Sequence, residues 1–194
     1  MNDRRQFIDT AYGSALECAA CLDVLGILRY LNSSTVQDGK AHISRLVSML
    51  IGFRKSTDRE IRENRAEYST KSHSLKRIWF DHEKLDVYVS ALGFVDWCGW
   101  TRDNGSTYLS TTAALDRTST GIALNIAEGN GKFSKKDRCR FIGHARTAAL
   151  QASATLDVLA ARKARNTNVV AAGKNQLVEI VRMLVAWERS LSEN

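Results

Sequence analysis

Three groups of side chains in this sequence are of types that can do chemistry. Cys18 and Cys21 form a C-x-x-C, the spacing of a thiol–disulfide pair or of half a zinc site. No second such pair and no H-x-x-x-H completes a metal set, and the pattern around the two is helical, so simple packing competes. His82 and Asp86 stand at i and i+4 on one helix face, but two ligands are too few for a metal ion. Asn125, Glu128 and Gly129 form the third group. A lone carboxylate with no second carboxylate, nucleophile or base beside it supports no acid–base step. These residues read instead as the joint between two helices. Gly129-Asn130-Gly131-Lys132 does not make a phosphate loop, because Ile126 and Phe133 stand where glycine and Ser/Thr are required. The expectation is a protein without enzymatic activity, metal or cofactor.

The elements that position these residues are helices. The 194 residues include no proline, the residue that breaks helix interiors and is welcome in loops, so long helices with short connections are expected. The chain also repeats itself. Residues 3–56 align without gaps onto residues 137–190, with twenty of the 54 positions identical, among them Phe7/Phe141, Leu16/Leu150 and the run LDVL at 22–25 and 156–159. Each copy reads as helix, short loop, helix. In the second copy Ser134 to Asp137 resembles a capping box, and Phe141, Ala145, Ala148, Ala152, Leu156 and Leu159 follow at steps of three and four as an apolar face. Small residues suffice where the first copy has its cysteines, since Ala152 and Thr155 match Cys18 and Cys21.

Between the copies, 57–77 reads as a polar linker or helical extension. Two further helices follow, one striped by Leu85, Tyr88, Val89, Leu92 and Val95, the other running from about Thr112 to Ala127. A loop at Asp103-Asn104-Gly105-Ser106 separates them. Residues 78–194 then make a complete four-helix unit, while 1–56 duplicate only its last two helices. A lone helical hairpin leaves its apolar face uncovered, so it must dock in cis or on a neighbouring subunit. A second stripe is the same in both copies: Leu16, Ala20, Asp23 and Val24 against Leu150, Ala154, Asp157 and Val158. It lies roughly opposite the Phe141 face and is assigned to contacts between repeats or between subunits.

The block Leu124-Asn125-Ile126-Ala127-Glu128-Gly129, followed by Gly131 to Lys136 and preceded by Phe80 and Glu83-Lys84-Leu85-Asp86-Val87, resembles the 23S rRNA intervening-sequence proteins, also called four-helix bundle proteins. The resemblance spans about Phe80 to Leu191. It implies an all-α fold, an antiparallel up-and-down four-helix bundle, here extended by the N-terminal hairpin, and assembly into homo-oligomeric rings. A related branch comprises accessory proteins of diversity-generating retroelements, basic bundles that bind a reverse transcriptase and nucleic acid. Two features depart from the pattern: Ala123-Leu124 stand where many members have a proline before the block, and the extra hairpin is absent from the usual unit.

The net charge is +7, which attracts polyanions without choosing among RNA, DNA and an anionic surface. Lys132, Lys135, Lys136, Arg138 and Arg140 crowd the start of one helix, and Lys136, Arg140 and His144 share a ridge. Such a ridge can follow a phosphate backbone; the alternative is a solvated face, set where a helix N-terminus disfavours lysines. The first copy has Asn2, Gln6 and Thr10 at the ridge positions, so shared packing does not require the charges. The N-terminus lacks a secretory apolar run, and the best apolar stretch found, Leu46 to Phe53, is short for a membrane helix. A cytoplasmic location, away from membranes, is expected.

Overall fold

The computed structural model describes residues 2–59, 79–101 and 109–192, and every regular element among them is helical. In chain order these are α1 (Asn2–Ile27), α2 (Ser33–Arg59), α3 (Asp86–Trp97), α4 (Leu109–Asn130), α5 (Lys135–Ala161) and α6 (Thr167–Ser192). Two 3-10 turns, Asp81–Lys84 and Cys98–Thr101, flank α3. Of the expected linker, 57–59 continue α2, and 60–77 lie outside the described residues, as does the expected loop at Asp103 to Ser106. Helix α4 extends a turn beyond the expected Thr112 and Ala127 at either end.

Helices α3 to α6 close a circuit, with α4 against α3 and α5, and α6 against α5 and α3. Their core contains Phe94, Leu115, Ile122, Ile126, Leu156 and Leu184, all fully buried, each worth roughly 1.5–3 kcal/mol of apolar transfer. Alanines at 145, 149 and 152 give α5 a thin inner face, which lets it lie close to α4. The expected apolar stripes need two corrections. Ile142 takes the core position while Phe141 is only half-buried, and Val89 is exposed on α3. Apolar periodicity locates a face to within one residue, and the neighbouring helix decides which residue of the pair turns inward.

Helices α1 and α2 pair with each other, and α1 also packs on α3 and α4. Phe80 enters a small core with Ala15, Leu16, Ala19 and Val47, with Trp79 packed against it. The Trp79 indole N–H donates to Gln37 Oε1 at 2.6 Å. Helix α1 is long and apolar enough, by length and composition, to cross a membrane. Leu16, Leu22, Val24, Leu25 and Ile27 join its alanines and cysteines in that apolarity, interrupted by Glu17 and Asp23 rather than gathered in one run. Here one side of it is buried within the protein.

The two hairpins turn in the same way. Arg29 and its counterpart Lys163 adopt left-handed backbone, at φ 60° and 53°. Tyr30 N–H donates to Leu25 O and Ala164 N–H to Leu159 O, at 3.0 and 2.9 Å, the backbone closure of a Schellman turn. Asn32 and Asn166 then cap the following helices, with their Oδ1 atoms accepting from Thr35 N–H and Asn168 N–H, each at 2.8 Å.

Candidate nucleic-acid interface

The basic cluster is built by the short joint between α4 and α5. Gly131 N–H donates to Ala127 O and Glu128 O, and Lys132 N–H to Gly129 O. These bonds end α4, and Ser134 Oγ then accepts from Asp137 N–H as the cap of α5. Gly129 permits this tight return: a Cβ there would stand 3.0 Å from the Phe141 Cβ. The Asn125 amide donates to Gly121 O at 2.7 Å, and Ile126 and Ala127 are fully buried. Of the block Asn125 to Gly129, Ala127, Glu128 and Gly129 thus close the joint, and Asn125 and Ile126 belong to the body of α4.

The joint divides the cations into two classes. Lys132 is buried, its ammonium 2.9 Å from Glu128 Oε1 and 4.6 Å from the centroid of the Phe141 ring. Arg138 folds back to donate to Lys132 O at 2.8 Å. Both were expected on the binding surface; each has a partner within the turn, and Lys132 also lines the neighbouring cleft. Lys135, Lys136, Arg140 and His144 remain exposed. Arg140 lies 3.7 Å from Asp137 and 5.0 Å from the Phe141 centroid, and His144 meets the same ring edge-on at 5.6 Å.

The first hairpin adds residues that the sequence reading did not join to this group. Arg54 of α2 lies over the Phe133 ring at 3.8 Å and bonds Asp9 at 2.9 Å, while Tyr12 of α1 meets Phe133 at 5.2 Å. Exposed Arg5 thereby comes to line a cleft of about 290 Å³ with Gln6, Lys132, Phe133, Asp137 and Arg140, among others. Arg5 is far from α5 in sequence, and only the docking of α1 brings it there. A cleft with cations and an aromatic ring at its mouth can hold a phosphate and stack a base. Asp9 and Asp137 on its wall partly offset the positive charge.

A second polar group lies where α1 and α2 meet the start of α3. Lys40 bridges Asp23 and Glu83, the latter at 3.1 Å, and the Tyr88 hydroxyl donates to Asp23 Oδ2 at 3.0 Å. These side chains line a cavity of about 630 Å³. His82 was expected to share an exposed face with Asp86. It is instead fully buried, stacked on Phe80 and edge-on to Tyr88, with neither ring nitrogen hydrogen-bonded. Burial, with the Lys40 charge adding to it, pushes the His82 pKa down to about 3, so the ring is neutral. Burial likewise raises Glu83, against the opposing pull of Lys40. Asp23, His82 and Glu83 each place a ligand atom within 4.8 Å of the others, yet the Lys40 ammonium already supplies the positive charge those carboxylates need.

The cysteines separate too. Cys18 is exposed although its counterpart Ala152 is fully buried, and Cys21 is half-buried. Packing therefore does not account for Cys18. Burial, then Glu17 and Cys18, raises the Cys21 thiol pKa, the direction opposite to that of a reactive thiolate.

The outer stripe of the repeat falls in two environments. Leu16, Ala20 and Val24 are buried against the α3–α6 unit, whereas Leu150 and Val158 are 58% and 42% exposed and Ala154 lies open between them.

No curated protein matches the chain at a significant level. A family model, that of the 23S rRNA-intervening sequence protein, matches residues 83–186. This stretch holds most of the circuit of helices, the α4–α5 joint and the exposed cations beyond it, and on that match the chain belongs to the 23S rRNA-intervening sequence protein family.

Proposed function

We propose that this chain is a non-enzymatic nucleic-acid-binding protein whose α3–α6 unit is an antiparallel up-and-down four-helix bundle, with α1–α2 as an added copy of its second half. It binds RNA or DNA through Lys135, Lys136, Arg140 and His144, with Arg5 contributed by the first hairpin. One observation carries this reading. After the joint has taken Lys132 and Arg138, Lys135, Lys136 and Arg140 still stand in solvent in the first two turns of α5, where the helix dipole repels cations. Folding gains little from them there, Arg140 having only solvent-exposed contacts to Asp137 and the Phe141 ring, and the matching positions of the first copy that can be compared, Asn2 and Gln6, are uncharged. A phosphate backbone supplies a stronger partner.

Few cations per chain make each contact weak, so the reading includes a homo-oligomer in which several such surfaces add through avidity. The exposed Leu150 and Val158 face supplies a surface for assembly. The same face supports a second reading, a scaffold that presents the bundle to a protein partner such as a polymerase.

Binding to structured RNA, single strands and duplex DNA across a salt series tests the first reading. The expected outcome is binding that weakens steeply with salt. The Lys136→Glu, Arg140→Glu variant should lose at least about tenfold in affinity at low salt, since each removes a phosphate contact and adds a repulsion. Salt-insensitive binding, or equal binding by the variant, would remove the basic ridge from the function and leave the scaffold.

A further inference from the structure

The two copies of the repeat carry the same outer surface, and the structure shows what that surface fits. In the first copy Leu16, Ala20 and Val24 are at most 5% exposed. Leu16 lies over Gly131 at the end of α4 and joins the cluster with Phe80. Asp23 accepts from the Tyr88 hydroxyl, and Lys40 pairs with Asp23 and Glu83. The acceptor surface is therefore Phe80, Glu83, Tyr88 and Gly131: apolar on one side, with a hydroxyl donor and a carboxylate on the other.

The second copy repeats the outer stripe of this pattern, while Ser153 stands for Ala19, and Ala149, the counterpart of Ala15, is buried in its own core. Leu150, Ala154 and Val158 stand for Leu16, Ala20 and Val24, and Asp157 and Lys174 stand for Asp23 and Lys40. Even the ion pair is preset, with Lys174 Nζ at 2.7 and 2.9 Å from the Asp157 oxygens. An exposed ion pair of this kind contributes at most about 1 kcal/mol to a fold, and exposed Leu150 and Val158 contribute no core. The stripe that stays in water on α5 is the one that α1 buries.

We infer that the outer face of α5–α6 docks onto the Phe80–Glu83–Tyr88–Gly131 surface of a second copy of this chain, and that α1–α2 occupies this surface in cis as an intramolecular competitor. This rests on the assembly part of the proposed function and names its surfaces and its control. The contact is head-to-tail, since donor and acceptor are different surfaces, and such contacts close into rings or run on as filaments. Because α1–α2 belongs to the same chain as its acceptor, it competes as an intramolecular ligand, at a local concentration above that of separate chains. The cis hairpin therefore wins at micromolar chain concentrations; its release gives the assembly and takes Arg5 from the cleft, leaving the α5 cations to act through avidity. Charge complementarity commits the site to this occupant: the Asp157–Lys174 pair presents the same charges that the Asp23–Lys40 pair sets against the Tyr88 hydroxyl and Glu83.

Light scattering on the full chain, without nucleic acid, tests the inference. The Leu16→Asp, Val24→Asp variant loosens the hairpin while leaving the acceptor and α5 unchanged. Its weight-average mass should at least double relative to the wild-type chain at equal concentration. Adding Leu150→Asp and Val158→Asp should return it to the wild-type value. A release variant that melts cooperatively yet gains no mass would overturn the inference, as would association that survives the second pair of aspartates. Should the aspartates unfold the chain, Leu16→Ala, Val24→Ala reads the same change at smaller amplitude. A benzophenone side chain at position 158 of the release variant should cross-link to residues 80–88 of another chain. Capture of α5 of the other chain instead would replace the head-to-tail contact with a symmetric one and sink the proposal. None of these readouts depends on nucleic-acid binding, so that reading can fail separately.

Discussion

The two hairpins have the same pattern, the same turn and opposite insides. In the second, Ala145, Ala148, Ala152 and Leu159 are buried and Leu150, Ala154 and Val158 face out. In the first, the counterparts Ala11, Ser14, Cys18 and Leu25 face out, and Leu16, Ala20 and Val24 are buried. The second helices follow suit. Ile180 is fully buried, whereas its counterpart Leu46 is 45% exposed, and Phe53 is 64% exposed where the second copy has half-buried Trp187. Local sequence therefore fixes that these segments are hairpins with two apolar stripes. Which stripe becomes core depends on the surface the hairpin meets.

The largest expected difference between the hairpins lies in their matched ion pairs. Lys40→Met leaves Asp23 and Glu83 half-buried with no cation, and should cost about 3–5 kcal/mol in denaturant unfolding. Lys174→Met removes a pair whose side chains are 39% and 59% exposed, and should cost under about 1 kcal/mol. Equal costs would mean that the first hairpin is not seated on α3 as described.

Next come the leucines, where the comparison should invert. Leu159→Ala is expected to cost about 2–5 kcal/mol and Leu25→Ala far less, while Leu16→Ala should cost about 2–5 kcal/mol and Leu150→Ala little. Thermal or urea melts of the four variants would give a crossed pattern. A pattern that follows position in the repeat, regardless of copy, would break the comparison.

The last effect is one of pH, and it belongs to the first hairpin's seat alone, because the second has no counterpart of His82. The folded chain keeps this ring neutral down to about pH 3, while the unfolded chain protonates it near 6.5. The unfolded state thus binds the extra proton in between. The contribution of His82 is complete above about pH 6.5 and is lost as pH falls, by up to about 1.4 kcal/mol per unit. Glu83 pulls the other way, since its raised folded-state pKa favours the fold on acidification. The measurement is therefore the difference between wild type and His82→Phe in urea midpoints from pH 7 to 4, and the variant should show the flatter acid limb. Parallel curves would place His82 in water.

Much of the fold is legible in the residues. The absence of proline, the repeat, Ser134 as a cap and the Asn125–Gly129 block all have local causes and appear as expected. What the sequence hides is decided at long range. Nothing near Lys132 or Arg138 distinguishes them from Lys135, and only the return of α5 along α4 buries one and folds back the other. Arg5 reaches the cleft, and His82 its apolar site, because the first hairpin docks where it does. The stripes on α1 are equally apolar on paper, so periodicity alone cannot choose between them.

The repeated turn has a consequence of its own. Its closure uses only backbone groups between Leu25 and Tyr30 and the amide of Asn32, and again between Leu159 and Ala164 with Asn166. The bend between the helices is thus written inside the copied stretch and owes nothing to the neighbours on either side. A duplicated fragment of gene would then yield a prefabricated part, already bent to shape, that can be laid against an existing surface by either of its sides.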